Sequence, residues 1–206
     1  MKSYKTEQEE FWAGEFGTNY VNRNQSHHLI ASNIALFSKI ISKTRGVTSI
    51  IEFGANIGLN LQALHTLLPH ASLSAIEIND SAVEQLRKND FIHIYHESIL
   101  ETMLTGLYDL TLIKGVLIHI NPNELSNVYE KLYDFSKRYI CIVEYYNPTP
   151  VEISYRGYEG RLFKRDFAGE LMDKYTDLKL VDYGFVYHRD ANFIQDDCTW
   201  FLLEKK

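Results

Sequence analysis

Apolar residues recur at helical spacing at the start of the chain. Glu7 to Asn22 carries Phe11, Trp12, Phe16 and Tyr20, and Leu29 to Ile41 repeats the pattern, so two opening helices are expected. Asn24, Gln25 and Ser26 break the periodicity between them, with Ser26 placed to cap the second. Gly46 ends that helix, and Val47 to Phe53 is a β-branched run without polar alternation. Such a run suits a strand covered on both faces, hence central in a sheet. The pattern then alternates between Leu59–Leu68 helical, Ser72–Ile78 strand, Ser81–Lys88 helical, Ile92–His96 strand, Tyr108–Lys114 strand, Pro122–Arg138 helical and Tyr139–Tyr145 strand. Alternation of this kind predicts a doubly wound α/β sheet, because parallel neighbours need a helical crossover. Asn147 to Pro150 cannot continue a strand, and the Tyr-, Arg- and Gly-rich stretch to Gly160 reads as a loop over the open end of the sheet. Lys164–Tyr175 reads as a helix. The last two strands, Leu178–Tyr187 and Asp197–Glu204, have no helix between them and are expected to pair antiparallel, unlike an ordinary dinucleotide-binding fold.

A length of 206 residues with 45% hydrophobic content favours one domain. Within it we expect a helical lid over 1–45, a ligand-binding core over 46–145, and a loop with closing strands over 146–206. The net charge of −6 argues against a nucleic-acid coat, and no stretch has the apolar length of a membrane helix. The opening residues lack the layout of a signal peptide, so a cytoplasmic location is expected, as a monomer or homodimer with neither nucleic acid nor membrane as partner. Cys141 and Cys198 lack metal-ligand spacing, read as reduced core residues, and no metal is expected.

Glu52-Phe53-Gly54-Ala55-Asn56-Ile57-Gly58 joins the first strand to a helix. Gly54 lets backbone approach a ligand and Gly58 permits close packing, while the helix start offers unpaired N–H groups. Glycines at such a turn also serve plain tight packing. The next strand ends in Glu77-Ile78-Asn79, roughly twenty residues on, the spacing at which a carboxylate meets a ribose diol. Asn56 stands where a dinucleotide-binding turn has its middle glycine and crowds a diphosphate, disfavouring a nicotinamide cofactor. Glu52 repels a diphosphate but attracts a cationic sulfonium ligand bearing an amino group, so both departures favour S-adenosylmethionine.

Together with Tyr108-Asp109-Leu110-Thr111-Leu112-Ile113-Lys114-Gly115-Val116-Leu117-Ile118-His119, these motifs resemble class I S-adenosylmethionine-dependent methyltransferases over nearly the whole chain. More narrowly, Phe11 to Gly17 with Tyr20, Arg23 and Asn24, Tyr145 to Pro150, Tyr155-Arg156-Gly157 and Lys164 to Phe167 resemble methylases associated with pseudaminic acid biosynthesis. The resemblance implies a seven-stranded Rossmann-like sheet with its last strand antiparallel and an N-terminal helical extension. It implies S-adenosylmethionine as cofactor and S-adenosylhomocysteine as product. Gly54, Ala55 and Asn56 would lie along the methionine part, Glu77 on the ribose hydroxyls and Ile78 on the adenine. Many relatives have an aspartate for the adenine amino group at the third strand's end. Here Ser98 or a water would replace it, beside Ile99. Lys114 and Gly115 would lie beneath the transferring methyl, and the helix bearing Trp12, Tyr20 and Arg23 would form a lid, although Trp12 and Tyr20 also fit a buried helix face.

Methyl transfer needs chiefly alignment and exclusion of water. For a base, His119 is the first candidate and Tyr146 a second catalytic candidate, while a hydrogen-bonded structural histidine fits the same sequence. Tyr145, Asn147, Tyr155 and Arg156 are candidates for binding a small polar acceptor, and Arg156 with Arg161, Lys164 and Arg165 suggests an anionic one. A nonulosonic-acid-type or nucleotide-activated sugar comes first, an amino or guanidino metabolite next, with a non-catalytic binding subunit as the alternative from another class. Glu77→Ala is expected to weaken donor affinity with the fold intact.

Overall fold

The computed structural model describes residues 4–23 and 27–206. The break at Asn24–Ser26 and the proposed Ser26 cap lie outside the described residues. The first expected helix is two, α1 (Glu7–Ala13) and α2 (Glu15–Arg23), parted at Gly14, whose N–H donates to Glu10 O at 2.9 Å. A tight corner results, and at Gly17 a Cβ would stand 1.9 Å from Trp12 O, so only glycine fits there. Helix α3 (His27–Ile41) follows.

Strands β1 (Ser49–Phe53), β2 (Ser72–Ile76), β3 (Ile92–Tyr95), β4 (Tyr108–Lys114) and β5 (Ser136–Glu144) are mutually parallel where they pair. Helices α4 (Leu59–Leu67), α5 (Asp80–Leu86) and α6 (Leu125–Asp134) connect them. A hairpin of β6 (Val151–Glu152) and β7 (Phe163–Lys164) precedes α7 (Phe167–Lys174), and β8 (Leu178–Val186) and β9 (Cys198–Lys205) close the chain. The large sheet has the order β3-β2-β1-β4-β5-β9-β8, with β9 antiparallel to both neighbours. This is the seven-stranded α/β sheet with an antiparallel final strand that the sequence predicts.

Alternation along the strands divides the core. Ile50, Leu73, Leu112 and Cys141 pack with Leu36, Phe37 and Ile40 of α3 and Leu61 and Leu64 of α4 on one face. Ile51, Phe53, Ile113 and Ile142 pack with Val128 and Leu132 of α6 and Phe167 and Leu171 of α7 on the other. Each large aliphatic side chain here is worth ~2–5 kcal/mol against alanine.

Two boundaries differ from expectation. The helix expected to run to Arg138 stops at Asp134, and Ser136 to Arg138 begin β5 in register with Tyr108. Lys137 and Arg138 are the exposed start of that strand, not the solvated end of a helix. The helix expected from Lys164 starts at Phe167 instead, because Asp166 caps it by accepting from Gly169 N at 2.9 Å. No helix among the described residues is long and apolar enough to cross a membrane.

The chain winds outward from β1 to β3 and then returns to the other side of β1 as β4. The carboxyl ends of β1 and β4 therefore diverge into a crevice, the place where open α/β sheets bind ligands.

Candidate functional site

The turn after β1 uses three left-handed residues, Gly54 (φ 74°), Asn56 (φ 49°) and Gly58 (φ 80°). Gly54 N and Ala55 N both donate to Ile76 O, at 2.9 and 3.1 Å, which ties the turn to the end of β2. Glu77 completes the tie: Oε2 accepts from Asn56 N at 2.7 Å, and Oε1 accepts from Ile78 N and Asn79 N, each at 2.8 Å. An ionised carboxylate offers roughly four lone-pair sites, so one remains for a ligand. Burial pushes the Glu77 carboxyl above the usual range, opposed by these three N–H donors.

Asn79 links the floor to the end of α1. Its Oδ1 caps α5 on Ala82 N at 3.0 Å, and its Nδ2 donates to Trp12 O at 3.0 Å and Ala13 O at 3.2 Å. At the end of β3, Ser98 Oγ accepts from Leu100 N at 3.0 Å and donates to Glu9 of α1.

Under the crevice lie two buried acids. Glu52 accepts from Asn60 Nδ2 at 2.6 Å, while its Oε2 has no hydrogen-bond partner among the described residues. Burial pushes it up to about 8, with Asn60 and the nearby Lys114 pulling the other way. Glu144 accepts from Val116 N at 2.9 Å and Leu117 N at 2.8 Å, and burial pushes it up to about 7. Both carboxyls hold protons in the fold that they release on unfolding. Their contribution is therefore greatest below the usual carboxylate range and is lost as pH rises toward about 7 and about 8. Stability should fall between pH 5 and 8, and Glu52→Gln should flatten that fall by on the order of 3 kcal/mol in urea titrations at the two pH values. An equal slope in the variant would remove the assignment.

Above the floor is a cavity of about 580 Å³. It brings together Gly54, Ala55, Asn56, Glu77, Ile78, Ser98, Ile99, Lys114 and Gly115 along the strand ends, with Trp12, Tyr20, His119, Tyr145, Tyr155 and Arg156 around its mouth. Trp12 stands edge-on to Tyr20 at 5.3 Å and 4.6 Å from the His119 ring, which is 5.0 Å from Tyr155, so an aromatic box forms. Burial pushes the Tyr20 phenol up to about 12 and the Tyr145 phenol up as well.

His119 Nδ1 lies 2.6 Å from Arg161 O. A carbonyl only accepts, so Nδ1 carries the proton and Nε2 keeps its lone pair. Burial pulls this imidazole down to about 4, which leaves it neutral at pH 7.

Five residues singled out in the sequence do not line the cavity. Glu52 lies beneath the floor and is fully buried. Gly58 faces Leu86 and Ile92 and serves packing. Arg23 is exposed, its guanidinium 5.6 Å from the Phe16 ring. Tyr146 is 42% exposed and stands beside Phe201, because successive residues of an extended chain face opposite sides and Tyr145 takes the inner one. Asn147 is exposed and donates to Thr149 O at 2.5 Å. Of the basic group, Arg161 pairs with Glu7 at 3.3 Å, Arg165 pairs with Glu170 at 2.7 Å, and Lys164 lies 5.1 Å from the Tyr145 ring.

The structure adds residues that sequence reasoning missed. Glu9, Asn60, Asn79, Gln195 and Asp196 all line the cavity. Gln195 donates to Ser32 O at 2.8 Å, leaving its buried Oε1 without a partner among the described residues, and Asp196 hydrogen-bonds Tyr145. For Glu9 a signal existed: Thr6-x-x-Glu9 is a capping box, in which Thr6 Oγ1 accepts from Glu9 N and Glu9 Oε2 accepts from Thr6 N. The loop between β8 and β9, which carries Gln195 and Asp196, had none.

No family model and no curated protein matches the sequence. Solved structures match in fold. The chain is similar to the plantazolicin methyltransferase BpumL in complex with SAH, with TM-score 0.66 and 15% identity over 97% of this chain and 94% of that one. It is similar to magnesium protoporphyrin IX methyltransferase from Synechocystis PCC 6803 with bound SAM, with TM-score 0.67 and 12% identity over the whole of both chains. The 1,6-didemethyltoxoflavin-N1-methyltransferase of Burkholderia thailandensis, solved with bound 1,6-didemethyltoxoflavin and S-adenosylhomocysteine, gives TM-score 0.70 and 12% identity over 100% of this chain and 93% of that one. With the strand order and the antiparallel β9, these likenesses establish that the chain has the class I methyltransferase fold.

Proposed function

We propose that this protein is an S-adenosylmethionine-dependent methyltransferase acting on a small polar acceptor. One observation carries the reading: at the point where strand order reverses, the left-handed turn of Gly54 to Gly58 is braced on Glu77, 2.7 Å from Asn56 N, beside a cavity sized for a nucleoside and an acceptor. The solved relatives in fold carry S-adenosylmethionine or S-adenosylhomocysteine, which supports the same donor here. The donor set also fits. Trp12 Nε1 and Asn56 Oδ1 are buried without partners among the described residues and offer one donor and one acceptor to a ligand.

The bound donor would supply an activated methyl group on a positively charged sulfur. Glu77 would hold the ribose through its unused lone pair, and Gly115, with open space where a Cβ would stand, leaves the end of β4 clear. Lys114, on the cavity wall, would balance the carboxylate of the donor's amino-acid part. The aromatic box of Trp12, Tyr20, His119 and Tyr155 closes over the acceptor and keeps water out.

We read His119 as a neutral hydrogen-bond acceptor that aligns the nucleophile. With a pKa of about 4 it is too weak a base to hold a proton at pH 7. His119→Ala should lower kcat by roughly a hundredfold with donor affinity nearly unchanged, and the wild-type rate should show no His119 inflection between pH 5.5 and 8. Unchanged kcat would return His119 to a structural role.

The acceptor reading narrows. The anionic-sugar candidate drew on four basic residues, of which Arg161 and Arg165 are paired with acids and Lys164 covers a ring, so it now rests on Arg156. The aromatic box and the acceptor atoms of Gln195 and Asp196 favour a neutral or amino-bearing ring compound over an acid. Titration calorimetry with S-adenosylmethionine and S-adenosylhomocysteine tests the donor: micromolar binding of either supports it, and no binding by folded protein ends it.

A further inference from the structure

At the β3 end of the cavity the wall is built from hydrogen-bond acceptors, and one of them comes from a distant part of the chain. Glu9 belongs to α1, yet its carboxylate is the partner of Ser98, 89 residues later. Its two oxygens are divided. Oε2 is committed to the start of its own helix, accepting from Lys5 N at 2.7 Å and Thr6 N at 3.1 Å. Oε1 faces Ser98, whose Oγ is already held by Leu100 N at 3.0 Å. Glu9 is 9% exposed and lines the cavity together with Glu97, Ser98 and Ile99.

Glu97 accepts from Thr102 Oγ1 through Oε1. Glu9 Oε1 accepts a single hydrogen bond and has a second lone pair free, so a buried acceptor waits for a donor on the ligand. A buried acceptor left unmatched keeps its desolvation penalty, and one facing another acceptor adds electrostatic repulsion.

We propose that Glu9, carried on the N-terminal helix, is the residue that selects the base of the bound nucleoside, taking an amino-purine and rejecting an oxo-purine. The inference rests on the donor reading above and adds to it a specificity residue that the strands do not supply. On an adenine ring the exocyclic amine is the donor at the edge remote from the sugar. The corresponding 6-oxo ring places an acceptor there, against the Glu9 carboxylate. Since the Ser98 hydroxyl and the Asn79 amide tie α1 to the strand ends, base recognition and the seating of the N-terminal helix are one event.

The test uses the full chain and two probes, S-adenosylhomocysteine and S-inosylhomocysteine, measured by calorimetry. Wild type should prefer the adenosyl probe by at least tenfold. Glu9→Gln keeps the capping box, which glutamine also closes, and offers an amide N–H to the base in place of a second lone pair. The variant should lose about tenfold on the adenosyl probe and gain on the inosyl probe, so that the preference falls below threefold or inverts. A wild type that binds both probes within threefold overturns the inference whatever the variant does. A variant with an unchanged preference, its melting temperature equal to wild type, also overturns it. Failure of wild type to bind the adenosyl probe at all sinks the donor reading instead, so the two failures are distinguishable.

Discussion

Glu77→Ala should cost roughly 3 kcal/mol of stability and weaken S-adenosylhomocysteine binding at least about a hundredfold. The carboxylate accepts from Asn56 N, Ile78 N and Asn79 N, which belong to two different crossovers. Alanine leaves all three donors without that acceptor at an 8% exposed position, and water recovers only part of the loss. Binding falls for a second reason, since the Gly54–Gly58 turn loses its brace and the ribose its acceptor. The two effects separate with Glu77→Gln, whose amide oxygen can keep Ile78 and Asn79 while its NH₂ opposes Asn56 N–H. Urea denaturation and calorimetry read them independently. A Glu77→Ala protein of wild-type stability would show that the brace contributes nothing, and wild-type affinity would remove Glu77 from the binding site. On sequence grounds this variant leaves the fold intact; the three backbone contacts make it a stability variant as well.

Gly58→Ala should lower the melting temperature by roughly 10 °C without acting on the ligand directly. Gly58 has φ 80°, where an L-residue loses ~1–2 kcal/mol, and an added Cβ would lie 2.5 Å from Leu86 Cδ1 and 3.3 Å from Ile92 Cδ1. Repacking α5 and β3 around that methyl adds ~1–3 kcal/mol. Gly46→Ala is the matched control, because Gly46 also has positive φ, 65°, but nothing within 4 Å of its would-be Cβ. It should show the backbone cost alone. If the two variants melt within 2 °C of each other, close packing at Gly58 is not what the glycine serves. Donor affinity measured well below the transition should stay within about threefold of wild type.

The two glycines of one motif carry different meanings. Both are legible as a strand-to-helix turn, but Gly54 lines the cavity, with Val116 also close to its would-be Cβ, while Gly58 packs against Leu86 and Ile92 away from it. The same division runs through Tyr145 and Tyr146. Composition marks both as candidates, and only the alternation of an extended chain decides that Tyr145 meets the cavity. Arg161 and Arg165 look available as a basic cluster until Glu7 and Glu170 are found beside them.

Local order along the chain was enough for the sheet's class, the interior position of β1, the antiparallel closing strands and the cavity-lining residues Gly54, Asn56, Glu77 and Gly115. Those features come from hydrophobic period and from backbone conformations that few residues adopt, and both act within a few positions of chain. The partnership of Glu9 with Ser98, the arrival of Gln195 and Asp196 at the cavity, and the neutral state of His119 came into view with the folded chain alone. Each depends on groups that are 42 to 163 residues apart, and on a burial that no stretch of sequence carries within itself.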